Sequence, residues 1–134
     1  MNLQPPPRLA AIGLAVLLVA PAAAAARSPA GAPQAKRQCF YTNQINGFAS
    51  ADPHTVNVRV GAKDVYQFEL FGRCEDVDWA RDIAIRSRGG SHICTGLEAE
   101  IIAPASIGPR TCAVRTLRKL TPTEVAALPK RGRP

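Results

Sequence analysis

Four cysteines are the residues of this sequence whose type and spacing most restrict their chemistry: Cys39, Cys74, Cys94 and Cys112. Structural zinc sites usually draw their ligands from close Cys-x-x-Cys pairs, and the sequence contains no such pair. An even number of cysteines in an exported chain favours disulfides instead. The sequence therefore predicts two disulfides, no metal centre and no cofactor.

Side chains that could catalyse a reaction are few. The two histidines are His54, which follows a proline in a turn, and His92, which lies beside a Gly-Gly turn. Ser87, His92 and Asp82 could supply a nucleophile, a base and an acid, but hairpin neighbours at this spacing often meet by chance. The sequence contains no HExxH motif, nucleophile elbow or phosphate-binding loop. We therefore expect no catalytic residue, and we expect His92 to make one hydrogen bond near its turn.

A cluster of three carboxylates, Glu75, Asp76 and Asp78, could bind a cation. Calcium prefers several oxygen ligands, but the full spacing of a calcium-binding loop is absent. Helix capping together with ion pairs to the neighbouring Arg73 and Arg81 is the simpler interpretation.

Two arginines provide a further candidate site. Arg86 and Arg88 lie on one face of a predicted strand, where two guanidinium groups could hold an anion. A solvated strand face is the simpler interpretation of the same pattern. With His92, these arginines are the only candidate binding residues, and the predicted strand register places His92 on the opposite face.

The first 26 residues are organised as a secretory signal peptide. A basic start precedes an apolar run from Leu9 to Val19, and an alanine block ends at Ala26. The run is shorter than the roughly 20 residues that span a bilayer, so cleavage is favoured over a membrane anchor. The mature chain would be periplasmic or secreted, without a transmembrane segment. The predicted parts are a signal peptide (1–26), a flexible leader (27–37), a single folded domain (38–129) and a disordered basic tail (130–134).

The net charge of +7 is concentrated outside the predicted domain. All ten acidic residues lie within residues 38–129 together with ten of the 17 basic ones, so that segment is formally neutral. Proteins that bind nucleic acid usually concentrate positive charge on a folded face, so this distribution argues against a nucleic-acid partner. The seven other basic residues are Arg8, Arg27, Lys36, Arg37, Lys130, Arg131 and Arg133.

Two alternating segments predict a β-hairpin. Thr55–Val60 and Val65–Phe71 each place apolar side chains on one face. Aligning the two apolar faces requires an odd-length connection, because a one-residue slip would turn one set of side chains to solvent. The expected cross-strand pairs are Val60 with Tyr66, Val58 with Phe68 and Val56 with Leu70.

The segment between the second and third cysteines contains the only tryptophan, Trp79. We expect a helical turn that is capped by Asp76 or Asp78 and that buries Trp79 in the core, followed by a strand over residues 82–88. One continuous helix over residues 76–86 is the alternative. Gly89-Gly90 tolerates the positive φ angles of a two-residue hairpin turn. This turn would pair Ser87 with His92 and Ile85 with Cys94.

The remaining patterns complete a mostly β domain. Asn46-Gly47 and Asp52-Pro53-His54 are typical of turns, and Thr121 with Glu124 forms a capping box that would start a short helix over Pro122–Leu128. Further strands are predicted over residues 39–41, 97–103 and 112–117. The predicted class is α+β but mostly β: a small antiparallel sheet or partial barrel with one or two short helices, held together by disulfides.

Several motifs also carry a family resemblance. They are Cys39-Phe40, the strand pair around Thr55–Leu70 with Tyr66, Gly72-Arg73-Cys74, Ile93-Cys94-Thr95-Gly96, and Cys112. Over about residues 39–120 the sequence resembles a family of uncharacterised exported bacterial proteins, domain of unknown function 6491. The resemblance implies a small periplasmic domain with disulfides and no assigned activity, and it lends no catalytic residue.

Four cysteines allow three pairings, and the predicted strand positions favour Cys74–Cys94 with Cys39–Cys112. The first bridge would be local, because Cys74 leaves one strand and Cys94 faces inward on the predicted hairpin. The second would join the first and last strands and so tie the chain ends together.

Two functions agree with these features. The first is a non-catalytic envelope protein, a binding or structural module whose partner is a protein, peptide or glycan. An inhibitor of an exported enzyme, which would need a protruding loop such as Ala103–Pro109, is one form of this function. The alternative is a small periplasmic enzyme, hydrolase-like, with a dispersed site.

Overall fold

The computed structural model describes residues 38–134, and the predicted signal peptide and leader lie outside the described residues. The described chain forms eight short strands, one α-helix and three 3-10 helices. The strands are β1 (Phe40–Tyr41), β2 (Ile45–Asp52), β3 (Thr55–Val60), β4 (Asp64–Leu70), β5 (Ala84–Ser87), β6 (His92–Ile93), β7 (Ala99–Ala103) and β8 (Arg110–Lys119). The helices are α1 (Pro122–Ala127) and the 3-10 helices Thr42–Gln44, Gly96–Glu98 and Lys130–Gly132.

Six of the strands form one antiparallel sheet in the order β2-β3-β4-β8-β7-β5. This large sheet curls into a half-barrel, and β1 and β6 form a separate antiparallel pair. The half-barrel is open, since its two end strands, β2 and β5, have no further strand neighbour within residues 38–134. The predicted mostly β class, with a partial barrel and short helices, is confirmed.

The core lies on the inner face of the large sheet. Val56, Val58 and Phe68 are fully buried there, as the alternation of their strands predicts. The β1–β6 pair packs against the same core through Phe40, whose ring centroid lies 4.6 Å from that of Tyr66. Burial of each large apolar side chain stabilises the fold by about 1.5–3 kcal/mol, so the small pair contributes to stability despite its length.

The β3–β4 hairpin forms, but its register differs by two residues from the predicted one. A shift of two keeps both apolar faces aligned, because side chains alternate with a period of two. The turn decides the register: it covers residues 61–63, and Gly61 adopts a positive φ of 60° that glycine tolerates without strain. The observed pairs are Val60 with Asp64, Val58 with Tyr66 and Val56 with Phe68.

β2 passes through the segment where the sequence predicts a turn at Asn46-Gly47. Ile45 and Gly47 pair with successive residues of β3, which leaves Asn46 as the extra residue of a β-bulge. The bulge brings Ile45 and Phe48, three residues apart, onto the same side of the sheet. The Asn46 side-chain amide donates a 2.7 Å hydrogen bond to the carbonyl oxygen of Gly61. The predicted turn is wrong because a bulge uses the same residue types inside a continuous strand.

The segment that leads into β5 confirms one expectation and contradicts another. Residues 75–79 form turns and β5 begins at Ala84, so a turn followed by a strand is correct and the continuous helix is wrong. The side chain of Trp79 is 73% exposed, and the guanidinium carbon of Arg131 lies 4.2 Å from its ring centroid. The prediction that Trp79 belongs to the core is therefore wrong; Val77 is the buried residue of this segment.

The predicted hairpin at Gly89-Gly90 does not form, because its two strands belong to different sheets. β5 pairs with β7, whereas β6 pairs with β1. The predicted pairs of Ser87 with His92 and of Ile85 with Cys94 are therefore wrong. Ser87 still contacts β6, since its hydroxyl donates a 2.7 Å hydrogen bond to the carbonyl oxygen of His92.

Both disulfides differ from the predicted ones. Cys39 bonds to Cys94 and Cys74 bonds to Cys112, so the predicted Cys74–Cys94 and Cys39–Cys112 bridges are wrong. The pairing of β1 with β6 brings Cys39 beside Cys94, and the pairing of β4 with β8 brings the end of β4 beside Cys112. The order of the strands in space, rather than along the chain, therefore decides the connectivity.

The basic C-terminus is folded, which contradicts the predicted disordered tail. Lys130–Gly132 form a 3-10 helix, and the buried side-chain amide of Asn57 donates a 2.6 Å hydrogen bond to the carbonyl oxygen of Gly132. Arg133 donates to the carbonyl oxygens of Ala126 and Leu128. A buried amide needs a hydrogen-bond partner, and a main-chain carbonyl can supply it whatever the composition of the segment.

The last helix begins as the sequence predicts. The Thr121 N–H donates to the Glu124 carboxylate at 2.8 Å, and the Glu124 N–H donates to the Thr121 hydroxyl at 3.3 Å, which completes the capping box. Arg118 of β8 donates a 2.7 Å hydrogen bond to the same carboxylate. The α1 helix ends at Ala127, one residue earlier than predicted.

We expect Gly96→Ala to destabilise the domain. An added methyl group would lie 2.7 Å from backbone atoms of Arg115 and Thr116, and overpacking of this kind usually costs about 1–3 kcal/mol. Urea unfolding followed by circular dichroism measures the free energy of unfolding. Gly89→Ala is the matched control, because nothing lies within 4 Å of its added methyl group; equal losses in both variants would contradict the prediction.

Glu124 should make the stability of the domain depend on acid pH. The Thr121 N–H, with Arg118, lowers the pKa of Glu124 from 4.5 to about 2, so its charged form favours the fold. This contribution is complete above about pH 4.5 and is lost as the pH falls through about 2. Glu124→Ala should lower Tm at neutral pH and reduce the slope of Tm against pH between these values. An unchanged slope in the variant would show that the carboxylate does not stabilise the fold.

Peptide mapping under non-reducing conditions should recover Cys39–Cys94 and Cys74–Cys112. Cys39 is exposed whereas Cys74 is fully buried, and access of the attacking thiolate limits disulfide exchange. A titration with a thiol reductant should therefore open Cys39–Cys94 first, as measured by alkylation and mass spectrometry. Simultaneous opening under native conditions, or the reverse order, would contradict the prediction.

Candidate functional site

A groove lies between the two edge strands of the half-barrel, β2 and β5. It encloses about 570 Å³, within the range of about 300–1,000 Å³ that is usual for ligand pockets. The first half of β2 forms one wall, and β5 with the residues that lead into it forms the other. We call this space the seam groove; its defining residues are Ile45, Phe48, Arg81, Asp82, Ile83 and Ile85.

Four apolar side chains form the floor of the seam groove and continue into the core, while most of the surface that the groove exposes is polar. Ile45, Phe48, Ile83 and Ile85 are partly buried and pack against the buried core cluster. The bulge in β2 turns the first two inward, strand alternation does the same for Ile85, and Ile83 lies just before β5. In a closed barrel a further strand would cover this surface. Within residues 38–134 no strand does so, although the 3-10 helix Thr42–Gln44 contacts β5 and Thr42 lines the groove.

An ion-pair network lies on the outer face of β5, beside the seam groove. Arg86 is in register with Glu100 of β7 and contacts its carboxylate at 2.9 Å, while Arg88 contacts the other carboxylate oxygen at 2.7 Å. Hydrogen bonds from Arg86 and then Arg88 lower the pKa of Glu100. One carboxylate therefore serves two guanidinium groups, both of which remain more than half exposed.

The structure does not bring Ser87, His92 and Asp82 into a catalytic arrangement. The Ser87 hydroxyl donates to the main-chain carbonyl of His92 rather than to its imidazole. The exposed His92 ring packs edge-on against Tyr41, with 6.4 Å between ring centroids, and Asp82 lines the seam groove. His92 belongs to the small β1–β6 pair, so the predicted register that related it to the arginines of β5 is wrong.

The acidic cluster of Glu75, Asp76 and Asp78 does not form the predicted ion pairs. Glu75 forms an ion pair with Arg110 at 3.3 Å, rather than with Arg73 or Arg81. Over residues 38–134, no group of three or more His, Cys, Asp or Glu side chains is placed to hold a metal ion. Asp76 contributes instead to a second groove beside the exposed Trp79.

The second groove adjoins the seam groove. Arg81 and Asp82 line both of them. The second groove encloses about 590 Å³ between Trp79 and residues 104–106. These residues belong to the loop Ala103–Pro109, in which Ile107 is fully exposed. The Arg81-Asp82 dipeptide therefore separates two adjoining recesses on one surface.

Comparison with known proteins identifies the family of this chain but assigns no activity to it. A family model described as a family of unknown function, DUF6491, matches residues 6–133. The chain belongs to this family. No curated protein and no solved structure matches the chain. None of the helices in the described part of this DUF6491 chain is long and apolar enough to cross a membrane.

Sequence reasoning found the arginines beside the seam groove and missed its floor. Arg86 and Arg88 stand out by charge, whereas the apolar floor residues resemble ordinary core positions. One signal was available: Ile45 and Phe48 are three residues apart around Asn46-Gly47, a spacing that fits a bulged strand as well as a turn. Only the strand order shows that the bulge faces an open edge.

Proposed function

We propose that this chain is an exported, non-catalytic module of the cell envelope that binds a polypeptide partner through the seam groove. The observation that carries the proposal is an apolar floor, continuous with the core, between two strand edges that lack neighbours in the described chain. A recess with apolar side chains at its base and polar groups around them is typical of an interaction site.

Export is supported by the cysteines and by the chain start. Both pairs of cysteines are joined as disulfides and no free cysteine occurs in the described chain. Disulfides persist in oxidising compartments such as the periplasm or the cell exterior. The organisation of residues 1–26 as a signal peptide agrees with the same destination.

A binding function explains the site better than the alternative of a small hydrolase. Neither recess on this surface is lined by histidine or cysteine, and the contact between Ser87 and His92 uses a main-chain carbonyl. General base catalysis requires a base within hydrogen-bond reach of its nucleophile. The side chains that meet at the seam groove are suited to contact instead of proton transfer.

Site-specific photo-crosslinking in cells tests the proposal. The full-length chain carries a photoreactive amino acid in place of Asp82, at the rim of the seam groove, and the protein is recovered from the envelope fraction. We expect processing before Arg27 and ultraviolet-dependent adducts of discrete mass that contain a second polypeptide. The matched control carries the same amino acid in place of Glu69, which is exposed on the central strand β4.

The proposal requires that adducts form at the rim of the seam groove and not at the control position. The control position should give no adduct, because β4 has a strand neighbour on both sides. Equal adducts at both positions, or none at the rim, would refute binding through the seam groove. Retention of residues 1–26 on a reduced cytosolic protein would refute export.

A further inference from the structure

We infer that the seam groove receives an extended polypeptide segment that adds to the free edge of β5, with apolar side chains facing inward and acidic side chains facing Arg86 and Arg88. This inference rests on the proposed binding function and specifies the chemistry of the partner. It follows from three features of the groove: its backbone edges, its floor and its charge.

The backbone of β5 requires a partner with a regular peptide repeat. β5 pairs with β7 on one side, and no strand of residues 38–134 occupies its other side. Unpaired N–H and C=O groups along a strand edge are a template for another extended chain. Glycans and lipids lack donors and acceptors at the spacing of about 3.3 Å per residue that a strand presents.

The edge of β2 is a poorer template than the edge of β5. The bulge at Asn46 and a second irregularity between Ala49 and Asp52 break the regularity of β2, and bulges are a common way to blunt an edge. β5 spans four residues that pair in unbroken register with β7. An added strand therefore finds a regular edge along β5, which is about 13 Å long, and the 3-10 helix Thr42–Gln44, which contacts β5, limits how much of that edge it can use.

The floor determines the inward side chains of the added strand. Ile83 and Ile85 lie on the β5 side of the groove, and Ile45 and Phe48 lie on the β2 side. A strand that lies beside β5 turns every second side chain to the same face as Ile85. Apolar residues at those positions would contact the four floor side chains, which are already partly buried against the core, and would remove their remaining apolar surface from water.

The charge determines the outward side chains. Arg86 and Arg88 lie on the outer face with side chains 62% and 54% exposed, while the Glu100 carboxylate that they share is only 14% exposed. Glu100 is the cross-strand neighbour of Arg86 on the β7 side, and an added strand would place its own side chain beside Arg86 on the other side. Opposite charges at such positions are favourable, so a carboxylate on the added strand would complement the two exposed guanidinium groups.

Synthetic peptides test the inference on the full-length gene product purified in oxidised form. The probe is a seven-residue peptide with blocked ends in which valine alternates with glutamate. The comparison peptide alternates valine with lysine, and two further peptides carry N-methyl groups on all the valines or on all the glutamates. Isothermal titration calorimetry measures the dissociation constants.

We expect the valine–glutamate peptide to bind at least about fivefold more tightly than the valine–lysine peptide, since opposite charges at cross-strand positions are favourable and like charges are unfavourable. The double variant Arg86→Gln/Arg88→Gln should remove this preference. The control Arg115→Gln, which changes an exposed arginine on the interior strand β8, should retain it. At least one N-methylated peptide should lose binding, because N-methylation removes the N–H donors along one edge of the strand.

Several results would overturn the inference. They are equal affinities for the two charge patterns, full binding by both N-methylated peptides, no binding of any peptide, or a preference that persists in the double variant. Circular dichroism and non-reducing disulfide mapping show that each variant is folded. Rim adducts that contain a polypeptide, obtained together with any of these results, would retain the proposed binding function and reject the added strand. An adduct with a glycan, a lipid or a second copy of this chain would also reject it.

Discussion

The pairing of β4 with β8 is the contact on which the rest of this domain depends. It joins two antiparallel halves, β2-β3-β4 and β8-β7-β5, into one curled sheet. The buried Cys74–Cys112 disulfide crosslinks the chain at this junction. With a sequence separation of 38 between its cysteines, such a bridge stabilises the fold by about 4 kcal/mol in the chain-entropy description. In a domain of this size one such term is a large part of the net stability.

The second disulfide stabilises the small strand pair that covers part of the core of this open barrel. An up-and-down barrel removes its edges by pairing the first strand with the last, whereas β2 and β5 remain apart in this sheet. The core is covered in part by the β1–β6 pair, whose two-residue strands would form a weak ladder alone. The Cys39–Cys94 bridge fastens that pair and leaves the seam between β2 and β5 uncovered. The site that we propose is therefore a consequence of how this core is closed.

The chemistry of the open seam suits recognition of another chain. Its floor presents isoleucine and phenylalanine side chains, and its β5 edge, which has no second strand neighbour in the described part of the chain, lies beside two arginines that share one carboxylate. Exposed strand edges carry a risk of non-specific association, which short strands and bulges reduce. β5 is short and β2 is bulged, so the edges are limited in extent without being covered. A short, charged and selective edge is suited to a defined partner.

The sequence by itself determined the local features of this protein. Alternation in Thr55–Val60 assigned the inner and outer faces of β3, and the Thr121–Glu124 capping box placed the start of α1, because these patterns depend on neighbours within a few residues. Tertiary structure decided what depends on distant partners. The hairpin register followed from the Gly61 turn, and the disulfide pairs followed from strand order. Trp79 is exposed because Val77 occupies the core, while the seam groove exists because β2 and β5 do not meet. Strands far apart in the chain become neighbours through the packing of the whole sheet. A pattern within a few residues therefore does not predict which strands will pair.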